Sequence, residues 1–392
     1  MEITTKPKPR SVTVSYGVLA VLLVAANLRP ALTGVGPVMQ EIVADLQLSG
    51  AAVGLLAALP LLIFGVFSPF ARAGVAFGLE RTFALCLALT AAGIALRSSG
   101  SAVALFAGTV IFATGIAAAN VLMPSLIKRD FPHRIEAMTT AYLMVLALSA
   151  AAATGLAAPL ADHLPGGWRS SLAVWAVVAG LTLLAWLPRL RNPRTEASPP
   201  PQDGATPVWR SPLAWRITVF MGLQSLVYYV VLSFMPFYLA DQGVPRSLSG
   251  LWLTTSQMVG FAIGFVAPAL LRGPDQRPLA VVAPLVTALA LLGLATAPQL
   301  GLVWLTVFGA ALGMTFILAF ALIGTRTRNH REAASLSAMA QSAGYLIAAV
   351  GPFAFGSLHD LTAGWRVPMT ALVAITVTEA AVGLGAGRKG YV

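Results

Sequence analysis

Residues 14–37 read VSYGVLAVLLVAANLRPALTGVGP, a nearly unbroken apolar run that carries one charge, Arg29, more than halfway along it. A helix needs about 20 mostly apolar residues to cross a bilayer. This run meets that length, and the same rule finds eleven more. They lie near 50–71, 82–99, 102–126, 137–161 and 170–188, then 213–239, 248–271, 278–296, 300–324, 334–357 and 367–387.

Composition agrees. The 392 residues are 57% hydrophobic and 10% charged, against about 25% charged in a soluble domain. Lipid must therefore be the solvent for most of the chain. The net charge of +11 does not mark a nucleic-acid binder, because the basic residues sit between apolar runs and form no continuous face. Cys86 is the single cysteine, which excludes a disulfide framework and a cysteine metal site. His133, His163, His330 and His359 lack metal-ligand spacing, so no cofactor or metal is expected. Lys6, Lys8 and Arg10 precede the first run as in a signal peptide, but the run is too long for one and reads as a retained helix.

Orientation follows from the connecting segments. With the N-terminus inside, twenty Lys and Arg residues fall on the cytoplasmic side and four (Arg97, Arg169, Arg246 and Arg366) on the other. That imbalance predicts both termini in the cytoplasm of a cell inner-membrane protein. The longest connection, with Pro199-Pro200-Pro201, divides the spans six and six. The expected organisation is a bundle over 1–188, a linker over 189–212 and a second bundle over 213–392.

The halves echo each other. Gly115 and Gly313 are 198 residues apart, as are Asp162 and Asp360, and Trp168 and Trp365 are 197 apart. An all-α membrane protein of twelve helices in two pseudo-symmetric six-helix bundles follows.

Polar residues inside the spans point to function. A charge at the depth of Arg29 costs several kcal/mol, about 3 or more, unless it faces a cavity or a partner. Pro30 cannot donate to Ala26 and should kink the helix there. Asn27, Asn120, Tyr142, Gln224, Tyr228, Gln257, Gln341 and Tyr345 are the candidate hydrogen-bonding and stacking partners for a solute held by Arg29. Gln224 and Tyr228 are four apart on one helical face, as are Gln341 and Tyr345. Each alone could equally be a helix–helix hydrogen bond. Among the acids only Glu379 lies well inside a span. Packing is its simpler role, and it is also the candidate site for a coupling proton. Arg72, Lys128, Arg129 and Arg326 are gate candidates at the cytoplasmic ends, where the positive-inside rule alone also explains them.

Asn27-Leu28-Arg29-Pro30-Ala31-Leu32-Thr33-Gly34-Val35-Gly36-Pro37 resembles the first span of the cyanate and 2-nitroimidazole permease family of the major facilitator superfamily. Residues 126–132, 221–225 and 338–345 support the resemblance. It implies the major facilitator fold and alternating access around a midplane site. The loop after the second span, Ala71 to Arg81, keeps Gly and Arg but lacks the family's Asp.

The expected function is secondary active transport of a small, cyanate-like anion or a compact polar aromatic, by a monomer in the lipid bilayer. A polyspecific drug exporter of the same fold is the alternative, for example in nitroimidazole efflux; the absence of a central acid argues against cationic substrates. No enzyme is expected, since no His, Asp or Ser cluster sits at one membrane face. A transporter-like sensor is not expected either, since it would want a sizeable output domain and the linker and tails are short.

Overall fold

The computed structural model describes residues 11–67, 78–191, 208–271, 273, 275–328 and 330–392. Twelve helical stretches among them are long and apolar enough to span a membrane.

The first span is not one helix. It comprises α1 (Ser11–Asn27), α2 (Pro30–Thr33), a 3-10 turn (Gly36–Val38) and α3 (Met39–Leu46). The chain leaves helical geometry at Leu28 and Arg29, where Pro30 was expected to kink it. The span runs past the expected end at 37, because helix resumes after Pro37 and stops only at Gln47, in the left-handed region with φ 52°.

The others are α4 (Gly50–Phe67), α5 (Leu79–Arg97), α6 (Ala102–Asp130), α7 (Ile135–His163) and α8 (Trp168–Arg191). After a short 3-10 turn (Val208–Arg210) come α9 (Pro212–Asp241), α10 (Arg246–Leu270), α11 (Arg277–Thr296), α12 (Gly301–Thr325), α13 (His330–Thr362) and α14 (Arg366–Ala386). Two boundaries change residue roles. Helix α6 continues to Asp130, so Lys128 and Arg129 occupy its last turn instead of a loop. Arg97, expected at the outer end of the third span, is the last residue of α5 and only 2% exposed.

Lipid offers no hydrophobic drive between helices, so close approach depends on small residues. The α4–α13 contact illustrates this. A Cβ on Gly54 would stand 2.4 Å from the Pro352 carbonyl oxygen, and one on Gly356 2.2 Å from that of Gly50. Further along, Ser342 donates from Oγ to the Gly65 carbonyl at 2.5 Å. A second contact between the first six and last six spans joins α7 and α10. There Gln257 Nε2 donates to Thr154 Oγ1 at 2.9 Å.

The internal repeat has a structural counterpart. Trp168 donates from Nε1 to Asp45 at 3.2 Å, and Trp365 donates from Nε1 to Asp241 at 2.7 Å. Each bond ties the last span of a six-span set to the end of its first.

Candidate functional site

Arg29 occupies the break between α1 and α2, with its side chain turned toward α9. Its Nη1 donates to Tyr229 Oη at 2.9 Å, a bond between the first and seventh spans. The hydroxyls of Tyr142, Tyr228 and Tyr345 also lie within electrostatic reach of the guanidinium. Four phenols from α7, α9 and α13 thus lie near one cation. The tyrosines pack on each other and on neighbours. Tyr228 and Tyr229 meet edge to face with centroids 5.0 Å apart, and Tyr345 meets Phe64 at 5.6 Å.

The local fold explains the placement. A hydroxyl of the α2–α7 contact holds the short helix: Thr33 Oγ1 donates to the Ala150 carbonyl at 3.0 Å. On the far side, a Cβ on Gly36 would stand 2.5 Å from the Leu232 carbonyl of α9. The segment carrying Arg29 is therefore wedged between α7 and α9.

The remaining candidates divide. Tyr142 donates to Asn120 Oδ1 at 3.3 Å, so this pair shares the neighbourhood of Arg29. Gln224 is 3% exposed and accepts from Ser225 Oγ at 3.2 Å. Gln341 Nε2 donates to Ser337 Oγ at 3.0 Å within its own helix. Gln257 bridges to Thr154, and its Oε1 is buried without a partner among the described residues. Asn27 is placed differently from the expectation. It is 5% exposed, and Nδ2 donates both to the Leu23 carbonyl and to Thr182 Oγ1, each at 2.8 Å. With both amide hydrogens committed, Asn27 fastens α1 to α8 and has no donor left for a solute.

Tyr229, which touches Arg29 directly, is the residue the helical pattern understated. The Gln224–Tyr228 spacing singles out one face, but Ser225 and Tyr229 share the next one by the same rule.

Two of the gate candidates, Arg129 and Arg326, are tied within their own halves. Arg129 pairs with Glu80 at 2.5 Å and Asp130 at 3.0 Å, and Arg189 pairs with Asp130. These residues cluster where α5 begins and α6 and α8 end. Arg326 donates from Nη2 to the Gly387 carbonyl at 2.9 Å, joining the ends of α12 and α14. Lys128 is exposed, and Arg72 lies outside the described residues. At the opposite end a cross-half bond does exist. Asp360 of α13 accepts from the Gly50 and Ala51 amides at 3.1 and 2.8 Å, capping the N-terminus of α4. Its spacing to Asp162 was legible, but its partner was not.

Glu379 is fully buried in α14, which packs on α9 and α11, and neither carboxyl oxygen has a hydrogen-bond partner among the described residues. A cleft of about 620 Å³ opens at the arginine-rich end, lined by Arg216, Arg277 and Arg388 and by none of the tyrosines.

Twelve spans, a two-fold internal repeat and a polar cluster between the halves define a membrane transporter. The Major Facilitator Superfamily profile matches residues 21–352. The 2-nitroimidazole transporter of Escherichia coli (strain K12) is 39% identical over 95% of both chains. The cyanate transport protein CynX of the same strain is 27% identical over 88% of this chain and 91% of its own. A bacterial homolog of the human lysosomal transporter Spinster, solved inward-facing and unoccupied, superposes with a TM-score of 0.81 at 19% identity, over 97% and 98% of the two chains. The chain belongs to the major facilitator superfamily and, within it, to the cyanate and 2-nitroimidazole permease family. It is a multi-pass membrane transporter and not an enzyme.

Proposed function

We propose that this transporter carries a small anion or a compact polar aromatic by alternating access, with Arg29 as the group that grips it. The observation that carries the proposal is the Arg29–Tyr229 bond across the two six-span sets, with three further phenols around the same guanidinium. Arg presents a planar fork of donors suited to paired oxygen acceptors. Cyanate and 2-nitroimidazole, named for the two relatives, share a compact electron-rich end. A nitro group offers two oxygens to the fork, and the tyrosine rings offer faces to a flat ring. A solute displacing Tyr229 from Arg29 would exchange a single charge-assisted hydrogen bond for a paired set on the same guanidinium.

The halves are assigned as 1–188 and 213–392, joined by 189–212. The arginine-rich end is the cytoplasmic one by the positive-inside rule, with both termini on the cytoplasmic side of the inner membrane. The outer end is then held shut by Asp360 on α4, and its release accompanies outward opening. Asn120, Tyr142, Gln224, Tyr228, Gln257, Gln341 and Tyr345 complete the pocket. Arg129 and Arg326 keep the cytoplasmic ends of each half rigid as the halves rock. The protein acts as a monomer. If transport is proton-coupled, Glu379 is the acid available within a span.

A screen of purified protein for thermal stabilisation by cyanate, small aromatic carboxylates and nitroimidazoles tests this, followed by uptake into proteoliposomes. Stabilisation and saturable flux are expected for a solute with an oxygen-bearing end. A preference for hydrophobic cations would overturn the reading and favour a polyspecific exporter.

A further inference from the structure

Arg97 is a buried cation that transport through the central site does not use. It ends α5, is 2% exposed, and its guanidinium carbon sits 4.8 Å from the centre of the Phe112 ring. Its Nη1 donates to the carbonyl of Ala31 at 2.6 Å, while Nε and Nη2 have no partner among the described residues. A desolvated cation without a counter-ion is costly, so the contact it does make is informative.

That contact falls on the broken first span. In α2 the Leu32 and Thr33 amides donate to the Arg29 carbonyl at 2.9 and 3.0 Å, and the Gly34 amide to that of Pro30 at 3.0 Å. The next bond of the series would run from the Val35 amide to Ala31, but the helix has ended and the 3-10 turn begins at Gly36. The last carbonyls of a helix lack internal donors and favour cations. Arg97 supplies the donor that the break removes.

The anchor is itself rigid. A Cβ on Gly108 would stand 2.4 Å from the Arg97 amide nitrogen, and one on Gly93 2.4 Å from that of Phe112. Helices α5 and α6 thus touch backbone to backbone, which fixes Arg97 over its ring.

We infer that Arg97 is a positioning residue, which caps α2 through the Ala31 carbonyl and so sets the direction in which Arg29 projects toward Tyr229. The part concerning Arg29 rests on the proposed function; the capping does not.

The two are separable by experiment. Amide hydrogen exchange is measured on purified full-length protein, wild type, Arg97→Met and Arg97→Lys, with α6 as internal reference. The expected result is exchange at least tenfold faster over residues 28–38 in Arg97→Met, with α6 unchanged. Arg97→Lys keeps a donor and stays near wild type. Affinity for 2-nitroimidazole or cyanate, whichever the wild type binds, falls about tenfold in Arg97→Met and recovers in Arg97→Lys. Faster exchange with unaltered affinity would uphold the cap and remove its link to Arg29. Unchanged exchange over 28–38, equal loss in both variants, or a rise throughout the protein would overturn the inference. If Arg97→Met does not fold, the Lys variant decides: exchange over 28–38 at the wild-type rate supports the cap, and a selective rise refutes it.

Discussion

At the scale of single residues, what each polar side chain can offer a solute depends on what it already holds. Asn27 and Arg29 are two positions apart in one motif, yet Asn27 spends its donors on α1–α8 packing while Arg29 reaches across to Tyr229. Removing the Tyr229 hydroxyl frees one Arg29 donor and costs one hydrogen bond to a charged group, worth about 1.5 kcal/mol. Tyr229→Phe should therefore change solute affinity by no more than about tenfold, as read by calorimetric titration, with the fold intact. A loss of a hundredfold would mean that the phenol itself binds the solute. Backbone strain offers an independent check. Ala363 sits at φ 48° where the first half has Gly166 at φ 96°. A left-handed residue with a Cβ costs about 1–2 kcal/mol, partly offset by the extra freedom of glycine in the unfolded chain. Ala363→Gly should stabilise the protein by about 0.5 kcal/mol, seen as a small rise in unfolding temperature.

At the scale of elements, helix contacts depend on where a Cβ is missing. Gly54 of α4 stands against the backbone of α13, so its neighbour cannot yield by turning a side chain. Overpacking of this kind costs about 1–3 kcal/mol. Gly54→Val should lower the unfolding temperature by several degrees in detergent, while Gly180→Val, whose Cβ would meet nothing within 4 Å, should not. The spans themselves were legible, because length and hydropathy alone decide whether a segment enters lipid. Their ends were less so. Lys128 and Arg129 read as loop because charge closes an apolar window, but α6 carries them in its last turn, where Arg129 meets Glu80. Arg97 counted toward the outer side in the charge balance, and only tertiary structure shows it folded back onto Ala31.

At the scale of the whole molecule, the pseudo-symmetry was visible as matching offsets, and the equivalent Trp168–Asp45 and Trp365–Asp241 bonds give it physical content. Sequence offsets cannot reveal which contacts cross between the halves, since those depend on conformation. The Asp360 cap on α4 is such a contact. Asp360→Ala removes an acceptor of two amide hydrogen bonds and a charge favoured at a helix N-terminus. It should shift the population toward separation of α4 and α13 at that end. Spin labels replacing Gln47 and Thr362 should then report a longer distance component in the variant than in the protein with Asp360 intact. An unchanged distribution would remove Asp360 from the closing mechanism.

The claim on which all three scales converge is that the Arg29 guanidinium binds the transported solute between the halves. Calorimetric titration of purified wild type, Arg29→Lys and Arg29→Met with the tightest solute from the screen tests it most directly. The account predicts intermediate weakening in Arg29→Lys and a loss of about a hundredfold in Arg29→Met, in line with about 3 kcal/mol for a hydrogen-bonded charge, with helix content preserved. Wild-type affinity in a folded Arg29→Met protein would contradict it.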